Sequence, residues 1–172
     1  AMVIMMTLIY AVFKASANDI TVDLTPSANR WLFIVIVVLM VSTFVQLVLG
    51  TQVREVIDVL KNLAEPPPRE TWISRVGLID EVHRSFSWVV LAAGGALVYL
   101  SRWWAESKWI SNIGTTVFGL ILLQIATGIG LYYLALPPVY QVVHLTGIAV
   151  LIGFEFLLLL LVMNSHEKLP TL

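Results

Sequence analysis

Between Lys108 and Glu155 no side chain carries a fixed charge, and this run of 46 residues constrains the fold more than any other feature. A helix crosses the hydrocarbon core of a bilayer in about 20 residues, so the run is too long for one crossing and suits two. Pro137-Pro138 supplies the break, because consecutive prolines remove two backbone donors and force a turn. Helices are therefore predicted over roughly 110–134 and 139–163. Upstream, residues 31–53 form an uncharged stretch of 23, and a fourth apolar segment reads as a helix over roughly 79–101. Only 12% of the residues are charged, against about 25% in soluble domains. The lipid bilayer is thus the first partner implied.

The same numbers exclude several classes. A net charge of −1 with no basic run leaves no footprint for nucleic acid. Zero cysteines rule out, within this sequence, disulfides, thiolate-held clusters, a thiol nucleophile and the attachment of c-type haem.

The expected fold class is all-α: an integral membrane four-helix bundle over 31–163 plus a partial transmembrane helix at the N-terminus. Residues 1–13 are apolar but too few to span, and read as the end of a helix that begins upstream. Residues 14–30 and 164–172 become an inner loop and tail, and 51–78 an outer loop. Arg102 and Lys108 in the short loop 102–108, against no basic residue in 135–138, set this orientation. Trp31, Trp103, Trp104 and Trp109 mark one interface, and Trp72, Tyr132, Tyr133 and Tyr140 the other. In the outer loop Val53, Val56, Ile57, Leu60, Leu63 and Ala64 recur at helical spacing and Pro66-Pro67-Pro68 ends the pattern, which predicts an amphipathic extension bent over the bundle. By pattern alone that stretch is a cover or a solvated connector.

His166 falls in a polar tail and reads as a surface residue, whereas His83 and His144 fall inside predicted helices, where an ionisable group is functional by default. Both helices enter from the same side, which puts the two imidazoles at matching depth, roughly 6–8 Å below the boundary at 1.5 Å per residue. Ser87 and Gly94 below His83, and Gly147 and Ile148 below His144, are expected to leave space for a flat body. Zinc would want four ligands. Two readings follow: a haem iron, as in haem b, held by His83 and His144 with Arg54 and Arg84 facing its propionates, or two histidines hydrogen-bonding across helices. A repeat supports the pairing, since Gln46-x-x-x-Gly50 precedes the loop before His83 and Gln124-x-x-x-Gly128 precedes the loop before His144. Glu155 lies about 16 Å further in than His144 on nearly the same face, and reads as a carboxylate reached by water from the inner surface, the alternatives being one paired inside the bundle, with Gln124 or a threonine, or part of a proton path.

Leu49-Gly50-Thr51-Gln52-Val53-Arg54-Glu55, Val82-His83-Arg84-Ser85-Phe86-Ser87-Trp88, Gly128-Ile129-Gly130-Leu131-Tyr132-Tyr133, Leu136-Pro137-Pro138 and Val142-Val143-His144-Leu145 occur in that order. Together they resemble the C-terminal half of the haem A synthase family over roughly 31–163. The resemblance implies an oxidoreductase that converts the methyl group of haem O to the formyl group of haem A for cytochrome oxidase assembly. It implies that His83 and His144 ligate a resident haem b in a half that serves electron transfer. Asp80, three residues before His83, has the spacing of an acidic residue in the family's other half, which makes it the weakest of the candidate site residues. The resemblance further implies haem O as substrate, a missing N-terminal half, a partner chain or a second copy to receive it, and a bacterial or archaeal cell membrane with the histidine pair near the outer face. The alternative from another class is a non-catalytic anchor subunit of a respiratory complex holding a bis-histidine haem.

Overall fold

The computed structural model describes residues 2–16, 22–105 and 107–167; parts of the expected inner loop and of the tail lie outside these. Five helices account for nearly all of it: α1 (Met2–Ala15), α2 (Pro26–Lys61), α3 (Leu78–Trp103), α4 (Lys108–Tyr133) and α5 (Pro138–Met163). The last four are long and apolar enough to cross a membrane, and the protein is a multi-pass membrane protein of the all-α class. Helices α2 to α5 run up and down; each packs on its neighbours in sequence, α2 closes the ring against α5, and α1 lies against the outside of α5. Two residues, Asp23-Leu24 (β1), pair in parallel with His166-Glu167 (β2), which ties the start of α2 to the end of α5.

Lipid tails are as apolar as leucine, so close packing rather than water exclusion holds such helices together. Leu32, Ile36 and Leu39 of α2 and Ile110, Val117 and Ile121 of α4 bury one stripe each, while Val38, Val41, Trp31 and Trp109 remain exposed. Small residues set the approach of α3 to α4. A Cβ on Gly94 would stand 2.5 Å from Ile121 Cδ1, and one on Gly114 would stand 2.8 Å from Ser101 Oγ.

Helix α2 is longer at both ends than its uncharged run. It begins five residues early because Thr25 caps it, its hydroxyl accepting from Ala28 N at 3.3 Å, with Pro26 in the first turn. It also continues unbroken to Lys61, where Asn62 takes over, its side chain donating to Asp58 O at 2.8 Å. The expected amphipathic extension is therefore the last turns of α2 rather than a segment bent away from it, and it ends before the prolines. Its 36 residues measure about 54 Å at 1.5 Å each, so somewhat under half of the helix stands clear of a ~30 Å hydrocarbon core.

From Asn62 to Gly77 the chain forms a strap with two short 3-10 turns, Arg69–Thr71 and Ile73–Arg75, in which Ile73 and Val76 are buried. The strap is fastened to the turn between α4 and α5. There Ala135 and Leu136 are left-handed at φ 53° and 59°, a conformation that costs an L-residue roughly 1–2 kcal/mol. Leu136 O accepts from Arg69 Nη2 at 2.5 Å and from Gln141 Nε2 at 2.6 Å, and Leu136 N donates to Leu131 O at 3.1 Å. One charge-assisted bond contributes about 1.5–3 kcal/mol, enough to offset the strain at one of these residues.

Candidate functional site

His83 is the sixth residue of α3 and His144 the seventh of α5. Both helices start at the strap end of the bundle, which fixes the two histidines at similar depth. Each imidazole is supported by the helix that precedes its own. In the first unit Gln46 of α2 donates from Nε2 to the backbone oxygen of His83 at 3.0 Å. One turn later Gly50 faces the ring so closely that a Cβ would stand 3.2 Å from His83 Cε1. In the second unit Gln124 of α4, with its amide nitrogen turned to α5, donates to the backbone oxygen of His144 at 3.0 Å. One turn later a Cβ on Gly128 would stand 3.6 Å from His144 Cε1. The Gln-x-x-x-Gly repeat is thus a mounting: the glutamine holds the histidine backbone and the glycine makes room for its ring.

The two imidazoles line one cavity of about 680 Å³, within the roughly 300–1,000 Å³ usual for small-molecule and cofactor sites. Arg54, Asp80 and Arg84 line the same cavity, so all five candidate residues are brought together. Asp80 is buried and accepts from Arg84 Nε at 2.9 Å, so its partner is Arg84. The Arg84 guanidinium also lies 4.6 Å from the centroid of the Tyr132 ring, held on both sides. Arg54 is half-exposed and lies 3.5 Å from Asp58. On the choice between a cover and a connector, the geometry favours a cover: Val53, Ile57 and Lys61 of α2 and Arg69, Trp72 and Ile73 of the strap all face the cavity.

Three expectations change. Gly94 leaves no space for a bound body, because Ile121 and Phe118 fill it; Gly147 likewise admits the Gln124 side-chain amide, which a Cβ there would overlap. These glycines bring helices together, while Ser87 and Ile148 do line the cavity. Glu155 is 1% exposed rather than open to water, and Thr43 Oγ1 donates to its Oε1 at 2.7 Å while Oε2 has no partner. A further change concerns residues that sequence reasoning passed over. Thr127 touches His144 Nδ1 at 2.9 Å, and Arg69 clamps the turn above it. A threonine in an apolar run and an arginine in a loop carry no signal of such contacts. His166 pairs through its backbone with Asp23.

Residues 1–156, from α1 through most of α5, match the family model described as cytochrome oxidase assembly protein, COX15-CtaA. The chain belongs to that family, the haem A synthases. Membership carries a role related to haem A synthesis. No curated protein and no solved structure matches the chain. Within this haem A synthase chain, the segments that carry the resemblance fall on the end of α2, the start of α3, the end of α4 and the start of α5. Those four helix ends surround the cavity. The segments that carry the resemblance and the paired mounting of two histidines therefore meet at one cavity.

Proposed function

We propose that this chain is the haem b-binding unit of a haem A synthase, in which His83 and His144 would hold one haem iron. The observation that carries the reading is that two imidazoles, each mounted by its own glutamine and glycine, line one cavity. The donor set fits. Among the described residues no group of three or more His, Cys, Asp or Glu gathers to hold a metal ion, so two imidazoles without further ligating side chains suit a haem iron better than a bare ion. His83 Nδ1 is buried without a partner, which leaves that ring uncommitted within the protein.

When bound, haem supplies one-electron chemistry between ferric and ferrous iron. The protein's part is to hold and screen. His83 and His144 bind, Gly50 and Gly128 set the ring positions, and Trp72, Ile73 and Ile57 keep water from one side. Arg54, Lys61 and Arg69 bring positive charge to the cavity wall, suited to the two propionate carboxylates. Held by both histidines, the group would supply electron transfer rather than oxygen binding, and this unit would serve that role in the oxidation of the haem O methyl group to the formyl of haem A. Haem O is received on another four-helix unit. The setting is a bacterial or archaeal cell membrane with the strap end outward. The same geometry serves a respiratory anchor subunit, but family membership favours the synthase.

The test is to purify the full chain in detergent and record haem content with oxidised and reduced spectra. One b-type haem per chain with a low-spin spectrum is expected, and its loss in the double variant His83→Ala/His144→Ala. A chain without haem, or a double variant that binds it unchanged, would overturn the assignment.

A further inference from the structure

The two mountings differ at all three positions between glutamine and glycine, and one of these differences bears on a histidine ring. Thr127 precedes Gly128 in the second unit, and Leu49 precedes Gly50 in the first. Thr127 is buried, and its Oγ1 stands 2.9 Å from His144 Nδ1, 2.8 Å from Leu123 O and 3.0 Å from Gln124 O. A hydroxyl has one proton, and a carbonyl oxygen can only accept. The proton therefore goes to the carbonyls of its own helix, and the contact with the ring runs from Nδ1–H to Oγ1. A competing donor is present, since the Gln124 amide nitrogen lies 3.3 Å from the same Nδ1. It is the longer contact, and that nitrogen already donates to His144 O at 3.0 Å. The tautomer with hydrogen on Nδ1 leaves Nε2 as the lone-pair nitrogen. Leu49 offers His83 no such acceptor, and His83 Nδ1 is buried with no partner.

We propose that Thr127 is a positioning residue that makes the two imidazoles unequal, fixing His144 as the permanent metal ligand and leaving His83 as the one that gives way to small entering ligands. The proposal rests on the haem assignment above. An acceptor on Nδ1–H orients the ring, selects the tautomer and raises the basicity of the coordinating nitrogen. His144 has all three effects and His83 has none. His83 is held by its backbone and by the close approach of Gly50, neither of which selects a tautomer. The side of the site lined by Gly50 is therefore where carbon monoxide, or a nitrogenous base such as imidazole, replaces a protein ligand.

The test uses the haem-loaded full chain. His83→Ala is expected to keep its haem as a high-spin form that imidazole returns to low spin, whereas His144→Ala loses its haem. Thr127→Val, which keeps the shape and removes the acceptor, should raise the midpoint potential, because a less basic ligand stabilises ferric iron less. Thr127→Ser should restore the wild-type value, and Leu49→Thr, which supplies the missing acceptor to His83, should lower it and slow carbon monoxide binding to the ferrous form. If the two alanine variants lose haem alike, or if Thr127→Val and Leu49→Thr both leave the potential unchanged, the inequality is refuted. Should Thr127→Val not fold, Thr127→Ser and Leu49→Thr still decide the matter by the same potential. A wild-type chain that binds no haem would instead sink the parent assignment, which separates the two failures.

Discussion

Replacing Gly50 with alanine tests the paired mounting with an internal control, because Gly128 is its counterpart. The added methyl would lie 3.2 Å from His83 Cε1 in the first unit and 3.6 Å from His144 Cε1 in the second. Carbon atoms pack best at about 3.5–4.0 Å, so Gly128→Ala is an ordinary contact and Gly50→Ala is not. The His83 ring must retreat by a few tenths of an ångström or turn about its side-chain bonds. A side chain driven about 30° off its rotamer costs roughly 0.5–1.5 kcal/mol. At 1.4 kcal/mol per decade this becomes about two- to tenfold weaker retention of haem. The assay follows the absorption spectrum while an excess of haem-free globin strips haem from the detergent-solubilised protein. Gly50→Ala should lose haem faster by that factor, and Gly128→Ala should match wild type. Equal rates for the two variants, or a larger effect at Gly128, would refute the idea that these glycines seat the histidine rings.

Three more outcomes are expected. Gly94→Ala should lower the thermal unfolding midpoint in detergent, because its methyl meets Ile121 Cδ1 at 2.5 Å and overpacking costs typically 1–3 kcal/mol; Gly95→Ala, with nothing within 4 Å, should leave it unchanged. Arg69→Gln removes the charge-assisted bond to Leu136 O, worth about 1.5–3 kcal/mol, and should make protease cleavage between residues 62 and 77 about tenfold faster or more; an unaltered rate would mean that the strap is held by other contacts. Thr43→Val leaves both oxygens of the buried Glu155 without a donor and should destabilise the fold by about 1–3 kcal/mol, while Thr43→Ser and Glu155→Gln, which keep a donor and an acceptor in place, should stay near wild type by the same thermal measurement.

The spans were legible in the sequence because charge counts report where the hydrocarbon begins and ends. They do not report where backbone hydrogen bonding ends, which is why α2 outruns its uncharged stretch at both ends; Thr25-Pro26 was the available signal for its start. The depth of His83 and His144 followed from spacing, and their shared cavity agrees with it. Gly94 and Gly147 misled because a small residue on a cavity-facing stripe looks the same whether a ligand or another side chain fills the gap, and only Ile121 and Gln124 in place decide. The hold of Arg69 on Leu136 joins residues 67 apart in sequence through a left-handed turn that contains no glycine. No local pattern encodes that contact. Glu155 was placed on the right face, but whether water reaches it depended on Thr43 of a helix far away in the chain.

Each histidine and everything that mounts it belong to one helical hairpin: Gln46, Gly50 and His83 to α2–α3, and Gln124, Thr127, Gly128 and His144 to α4–α5. The cavity between the imidazoles belongs to neither hairpin alone. In two-stage membrane folding, helices insert first and associate afterwards, so each half-site is complete on insertion while the whole site forms only when the hairpins dock. A ligand that bridges them binds the docked state alone and shifts the docking equilibrium by mass action. If the proposed haem is that ligand, its supply during biogenesis would set how much of the inserted chain becomes a closed bundle, and starvation for it would leave two correctly threaded hairpins side by side.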